Sequence, residues 1–239
     1  MDIRISKHGE STALCDTAII PFTEGIEISE DLLYLDSDIE AMVSHLLRSE
    51  VFTGKKDQIE TFRLARDENP RNVVLVGLGN EKCADAFTVQ TAISSAVKEA
   101  KKLKSKAIEI HQIFSSCAIS KSEMVSEIAK SVILGDYDFL SYKSSNEETK
   151  EIVEANILVN NDDDIEELER GLAEGMMEGH SICVARNLVN EPSNIMTPTM
   201  LSLEAEKFGK EYGYSVKVYN ESDIEAFGME AFLSVAKGS

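Results

Sequence analysis

The sequence has few basic side chains, no secretory leader pattern and no long apolar run, and each shortage excludes a class of protein. Only 24 lysines and arginines stand against 43 aspartates and glutamates, which leaves a net charge of -19. So acidic a surface repels phosphate backbones, and we therefore expect no nucleic-acid partner. No apolar run approaches the roughly 20 residues that cross a bilayer, and the N-terminus MDIRISKHGE lacks the apolar core of a secretory signal. These features predict a cytoplasmic protein without a membrane partner.

Cysteines and histidines are also few, and neither type forms a motif. The cysteines lie far apart, with no C-x-x-C pair, at Cys15, Cys83, Cys117 and Cys183. We expect them to be buried, reduced thiols. The histidines are scattered, outside any H-E-x-x-H pattern, at His8, His45, His111 and His180. Solvated or packed histidines are therefore a better interpretation than metal ligands.

Signatures of nucleotide binding and serine hydrolysis are incomplete or missing. No G-x-S-x-G elbow and no Walker A motif is present. Gly77-Leu78-Gly79 follows a predicted strand, where a phosphate-binding loop would lie, but Lys82 occupies the position of the third glycine. A tight strand-to-helix turn is the better interpretation.

What the sequence does contain, over its first 160 residues, is an alternation of strand and helix signals. Strands are predicted at 12–22, 58–65, 72–78, 107–114 and 151–159. Helices are predicted around 39–47 and 89–103, and a third begins at the capping-box pattern Ser120-x-x-Glu123. Polar residues 143–150 are interpreted as a surface loop. Strands separated by helices predict an α/β domain with a largely parallel or mixed sheet.

A long helix is predicted from Asp162-Asp163-Asp164 to about Asn190. Three adjacent carboxylates could form a cation site, but an N-cap at Asp164 is the better interpretation. Within this helix Gly171, Gly175 and Gly179 share one face, although each glycine costs about 1 kcal/mol relative to alanine. We infer that this face closely contacts another element, and we interpret the helix as the joint between two domains.

After this helix, the chain predicts the beginning of a second α/β domain. Thr197 caps a helix that begins at Pro198 and continues to about 212. A strand at 214–219, a short helix at 221–227 and an apolar segment follow. The predicted organisation is an N-terminal domain at 1–160, a linking helix at 161–190 and an incomplete domain at 191–239.

One contiguous segment resembles a known family. ARNLVNEPSN at 185–194, followed by Thr197-Pro198, is similar to the leucine (cytosol) aminopeptidase pattern ARxLVNxPxNxxTP. Three further segments resemble that family in the same order: VVLVGLG (73–79), LGDYDFLSYKS (134–144) and GMEAFLSVAKGS (228–239), the last similar to a family strand. The resemblance covers the chain from about residue 12 to its end.

The resemblance implies a two-domain metallo-aminopeptidase acting on peptide substrates. Its N-terminal domain would be macro-domain-like in fold and would serve assembly, usually into a homo-hexamer. Its catalytic domain would hold two divalent metal ions, zinc or manganese. The family's metal-binding segments, KGxTFDSGG and NTDAEGR, do not occur in these 239 residues. No catalytic, cofactor-binding or metal residue is therefore assigned, and we expect the chain to be the front part of a longer protein and inactive by itself.

Two alternatives remain open at this point. The chain could be a free-standing macro-like module that binds a nucleotide such as ADP-ribose, which Gly77 and Gly79 favour. It could also be a non-catalytic assembly protein related to the aminopeptidases.

Overall fold

The computed structural model describes residues 1–8, 15–25, 35, 37–65, 71–80, 85–111, 119–144 and 151–236. Some residues discussed in the sequence analysis lie outside these ranges: Lys82, Cys83, Cys117 and the 145–150 part of the surface loop. The chain divides into two compact units, Met1–Ala185 and Arg186–Ser239.

The first unit is built on a six-stranded sheet with the strand order β1-β6-β5-β2-β4-β3. The strands are β1 (Asp2–Lys7), β2 (Thr17–Thr23), β3 (Ile59–Leu64), β4 (Arg71–Gly79), β5 (Ala107–His111) and β6 (Glu154–Val159). All neighbouring strands are parallel except β3 and β4, which are antiparallel. The predicted α/β class with a mixed sheet is therefore confirmed.

Edge strand β1 was not predicted from the sequence. Its side chains alternate between apolar and polar, and Ile3 is buried opposite Ala155 of β6. Two isoleucines in six residues are a weak periodic signal. The strand forms because β6 supplies a complete set of hydrogen-bonding partners in register.

Four helices accompany the sheet in the described part of this unit. They are α1 (Ser37–Arg48), α2 (Ala86–Lys102), α3 (Lys121–Asp136) and α4 (Ile165–Asn190), the last of which continues five residues into the second unit. Ser120 caps α3 by accepting a hydrogen bond from the Glu123 N–H at 3.1 Å. Asp164 caps α4 by accepting from the Glu166 N–H at 3.0 Å, which confirms the N-cap interpretation of the aspartate run.

The two faces of the sheet carry different cores, because alternate residues of a strand point to opposite faces. Ile19 of β2 packs with the apolar sides of α2 and α3, and Leu168 of α4 joins the same cluster. Ile20 packs on the other face with α1. The linking helix predicted at 161–190 thus packs against the first unit over much of its length, and the proposed domain boundaries at 160 and 190 stay predictions.

The glycine face of α4 contacts α3, as the sequence indicated. A Cβ atom on Gly171 would lie 2.2 Å from the Ser122 carbonyl oxygen, and one on Gly175 would lie 2.1 Å from the Ser126 carbonyl oxygen. Both distances are far below van der Waals contact, so only glycine allows the two helices to approach this closely.

The second unit is helical in its described residues. It contains α5 (Pro198–Tyr212), α6 (Glu221–Ala226) and α7 (Glu230–Ala236). The strand predicted at 214–219 is wrong: this segment belongs to no helix or strand, because no described strand lies beside it to pair with it. The strand inferred by resemblance at 228–239 is also wrong over 230–236, which form α7, and 237–239 lie outside the described residues.

Candidate functional site

The histidines, scattered in the sequence, fall into two groups in the fold. His8 and His111 are buried, with their ring centroids 5.9 Å apart, whereas His45 and His180 are exposed. Among the residues that the structure describes, no group of three or more His, Cys, Asp or Glu side chains could hold a metal ion. The described residues therefore do not fit the two-metal centre that the family resemblance implies.

A buried ion-pair network adjoins the two histidines. Glu109 is only 5% exposed, and its Oε1 accepts a hydrogen bond from Arg71 Nη2 at 2.6 Å. His111 Nε2 lies 2.8 Å from the same oxygen. This second contact has the distance of an ion pair but not the direction of a hydrogen bond. The network crosses the face of the sheet opposite to α2 and α3, because Glu109 and Ala18 are register partners on that face.

The network controls which groups carry charge. Burial by itself would raise the pKa of Glu109, but His111 and Arg71 together outweigh burial and lower that pKa to about 2. For His8, burial is the largest influence and lowers the pKa; nearby His111 lowers it further, while Glu109 and Asp163 oppose the change. The face therefore holds an ionised carboxylate beside an arginine, and it keeps His8 neutral near pH 7.

Two cysteines can be compared with the sequence prediction, since Cys83 and Cys117 lie outside the described residues. Cys15 and Cys183 are both half-buried. Burial raises the pKa of the Cys15 thiol to about 12, and the negative charge of Glu109 contributes to the same change. A thiol with so high a pKa stays protonated and is a poor nucleophile.

Asn156 of β6 adds buried polar atoms to the same face of the sheet. It is 5% exposed and lies opposite Glu109 in the β5–β6 register. Within the described part of the chain, neither its Nδ2 nor its Oδ1 has a hydrogen-bond partner. Together with a protonated thiol and an arginine-bound carboxylate, these described side chains include no activated nucleophile.

Gly77 and Gly79 are explained by close packing against the chain segment that precedes β3. A Cβ atom on Gly77 would lie 1.9 Å from the Lys55 carbonyl oxygen. Gly79 has a φ of +77° and donates its N–H to the Gly54 carbonyl oxygen at 2.9 Å. The N-terminus of α2, where a phosphate would otherwise bind, is capped by the carboxylate of Asp85. These observations favour close packing at the end of β4 over a phosphate-binding loop, and the predicted strand-to-helix turn continues into residues outside the described ranges.

The ARNLVNEPSN segment forms the junction between α4 and α5. Its proline begins a tight turn, in which the Ile195 N–H donates to the Pro192 carbonyl oxygen at 2.8 Å. Thr197 caps α5 by accepting from the Met200 N–H, and Pro198 is the first helical residue, both as predicted.

Profiles of one protein family match both parts of the chain. Residues 19–146, more than half of the chain, match the N-terminal domain of the cytosol aminopeptidase family. Residues 183–239 match the catalytic domain of the same family. The chain belongs to the cytosol aminopeptidase family. The second match contains the junction between α4 and α5.

A curated relative supports this assignment, and two solved structures share the fold. A probable cytosol aminopeptidase from Clostridium perfringens is 34% identical over 242 residues, which cover 99% of this chain and 46% of that relative. A mutant of tomato leucine aminopeptidase has the same fold, with a TM-score of 0.78 at 24% identity over 95% of this chain and 46% of that one. The bottromycin maturation enzyme BotP in complex with Mn has a TM-score of 0.67 to this chain at 20% identity. The superposition covers 90% of this chain and 40% of BotP.

The chain spans about half the length of the curated relatives it matches. Sequence reasoning identified the family and the capping residues, but it missed the network around Glu109. The one available signal was the alternation in Glu109-Ile110-His111, which places two titratable side chains on one face of a strand.

Proposed function

We propose that this chain supplies the N-terminal domain and the beginning of the catalytic domain of a two-metal leucyl aminopeptidase, an enzyme that removes N-terminal amino acids from peptides. The collinear matches to both domains of one aminopeptidase family carry this proposal. Because the family consists of hydrolases that act on peptides, we expect the whole protein to be a peptidase. Its preferred substrates would be peptides with leucine-type N-termini.

The metal ions of this enzyme would bind outside the residues described here. No described cluster could hold a metal ion, and the KGxTFDSGG-like and NTDAEGR-like segments are absent from the sequence. Zinc or manganese is proposed from the family resemblance, and a neighbour of this fold is a complex with Mn. The chain alone is therefore proposed to be inactive.

Assembly is the role that we propose for the N-terminal unit, with a homo-hexamer as the expected state. The proposed compartment is the cytoplasm, since the curated relatives are named cytosol aminopeptidases. No helix among the described residues is both long enough and apolar enough to cross a membrane. Light scattering would test the assembly, since a hexamer has six times the 26.4 kDa mass of the chain.

The alternative of a nucleotide-binding module has less support in the described residues. Gly77 packs against the Lys55 backbone, and Asp85 occupies the helix N-terminus where an anion would bind. Titration with ADP-ribose separates the two proposals: saturable binding would favour the module, and we expect none.

A chimera provides the direct test of the proposed function. It joins this chain to the part of the Clostridium perfringens relative that follows the matched region. We expect the chimera to hydrolyse leucine p-nitroanilide when supplied with Mn²⁺ or Zn²⁺, and the 239-residue chain to leave that substrate intact. A folded, metal-loaded chimera without activity would contradict the proposal, and hydrolysis by the chain alone would contradict its inactivity.

A further inference from the structure

Strand β1 lies at one end of the sheet, so only one side of its backbone has a neighbouring strand. The Asp2 N–H donates to the Val153 carbonyl oxygen at 2.8 Å, which places the backbone groups of Asp2 on the side of β6. Successive residues of a strand direct their N–H and C=O groups to alternate sides, so Ile3 and Ile5 direct theirs outward. Among the described residues, none forms a backbone hydrogen bond with this outer side of Ile3 or Ile5.

The outer side of β1 therefore has the backbone groups that a further strand requires. An exposed strand edge accepts a strand from another chain through the same hydrogen bonds that join strands within a sheet. A twofold axis would pair two copies of β1 antiparallel, with the same surface of each copy in the interface. Because this axis preserves each face of the sheet, even-numbered residues can lie opposite only even-numbered residues.

One register of this pairing is self-complementary. With Ile3 opposite Ile3 of the second copy, Asp2 lies opposite Arg4, and symmetry forms the same charge pair twice. Met1, which is 44% exposed, then lies beside the half-buried Ile5 on the apolar face. Registers centred on Asp2 or on Arg4 would instead place like charges opposite each other, which is unfavourable. A register centred on Ile5 would form no opposite-charge pair.

The Arg4 side chain is able to make this additional contact. Its only described ion pair joins its Nη2 to the Glu154 carboxylate at 3.6 Å, and 46% of the side chain remains exposed. A guanidinium group has five N–H donors and can bind a second carboxylate. In a chain of net charge -19, an interface between two copies needs such contacts to offset the general repulsion.

The other edge strand, β3, lacks this self-complementarity. Its charged residues Glu60 and Arg63 are three positions apart, so their side chains project from opposite faces of the sheet. No twofold pairing of β3 can therefore bring these two charges together. The comparison selects β1 as the edge that fits a second copy.

We propose that β1 is an interface between two copies of this chain, formed by antiparallel pairing of residues 1–5 about a twofold axis. The two sheets would join into one continuous sheet. The inference rests on the proposed function, since a closed hexamer with dihedral symmetry contains twofold interfaces. It goes further because it names the strand, the register and the charge pairs that join two copies.

Exchange of the two charges tests the proposal on the full 239-residue chain. Sedimentation equilibrium would measure the Kd of self-association for the wild type, for Arg4→Asp and for the double variant Asp2→Arg/Arg4→Asp. We expect Arg4→Asp to weaken association about tenfold or more, because it places Asp2 opposite an aspartate in both symmetric pairs. The double variant restores opposite charges in the same register and should recover most of the wild-type affinity.

The matched control is Arg63→Asp, because Arg63 is an exposed arginine on the other edge strand, and this variant should associate as the wild type does. Amide exchange provides a second readout. The N–H groups of Ile3 and Ile5 should exchange more slowly at high than at low protein concentration. Arg4, whose N–H is on the side of β6, should exchange at the same rate at both concentrations.

A wild-type chain that stays monomeric, an Arg4→Asp variant with unchanged Kd, or a double variant without recovery would overturn the proposal. Exchange at Ile3 that is independent of concentration would also overturn it. A hexamer that forms equally well with Arg4→Asp would overturn this interface and leave the proposed assembly standing. An inactive, metal-loaded chimera would count against the proposed function alone, because the association of β1 is measured without catalysis.

Discussion

Replacing Gly175 by alanine tests the packing of α4 on α3. In an exposed helix this change would stabilise the protein by about 1 kcal/mol, because alanine has the higher helix propensity. Here the new Cβ atom would lie 2.1 Å from the Ser126 carbonyl oxygen, which is backbone and cannot rotate away. The helices would have to separate by roughly 1 Å, and overpacking of this kind costs about 1–3 kcal/mol.

We expect the upper part of that range, because the contact is with backbone and its neighbour Gly171 is equally close to Ser122. After subtracting the propensity gain, Gly175→Ala should destabilise the first unit by about 2 kcal/mol. For a unit of this size, the change corresponds to a Tm lower by roughly 4–8 °C. Urea and thermal unfolding followed by circular dichroism would measure both quantities.

Gly179 of the same helix provides the matched control. A Cβ atom there would meet the Ile133 side chain at 3.0 Å, and that side chain can shift by a few tenths of an ångström. Gly179→Ala should therefore change stability by less than about 0.5 kcal/mol, as the gain in propensity offsets the crowding. If Gly175→Ala were instead more stable than the wild type, the close helix contact would be refuted.

Four further predictions concern pH, capping and the exposed surface of the second unit. Because folding lowers the pKa of Glu109 from 4.5 to about 2, its stabilisation is present above pH 4.5 and is lost as the pH falls towards 2. Glu109→Gln should abolish that slope in urea titrations. Folding also lowers the pKa of His8 from 6.5, so the free energy of unfolding should fall as the pH drops below 6.5. His8→Asn should flatten the plot of unfolding free energy against pH in that range. A wild-type plot that is already flat from pH 7 to 5 would refute this prediction. Ser120→Ala removes the cap of α3 and should cost about 1 kcal/mol on thermal unfolding, while an unchanged Tm would show that the cap is unimportant. Shortening the chain to 1–185 should reduce the fluorescence of an apolar-surface dye, and equal fluorescence would place the exposed apolar surface in the first unit.

The parts of the fold that follow from local physics were predictable from the sequence. Continuous apolar runs indicated β4, and the oxygen side chains of Ser120, Asp164 and Thr197 indicated where three helices begin. Local signals could not identify β1, because its stability comes from pairing with a strand about 150 residues away.

In the second unit, by contrast, the wrong predictions came from local signals that the fold does not use. Residues 214–219 carry a valid strand signal, but a strand requires a neighbour, and propensity alone cannot supply one. The segment after Gly228 was assigned by resemblance to a family strand, whereas the described residues form helix α7. An apolar run of this length does not distinguish a buried strand from a buried helix.

The polar face around Glu109 was also beyond sequence reasoning. Arg71 and Glu109 are 38 residues apart and meet only because the sheet order brings β4 and β5 to either side of β2. By contrast, the junction at 185–198 was recognisable because its residues are contiguous. Family membership could therefore be predicted from the sequence, while the electrostatics of the first unit could not.

Metal titration tests most directly the claim that the catalytic metal centre lies outside these residues. Isothermal titration with Mn²⁺ would be performed on the 239-residue chain and on the chimera with the Clostridium perfringens relative. The account predicts two bound ions per chimera and no specific binding to the chain alone. Tight binding of two Mn²⁺ ions by the chain alone would contradict it.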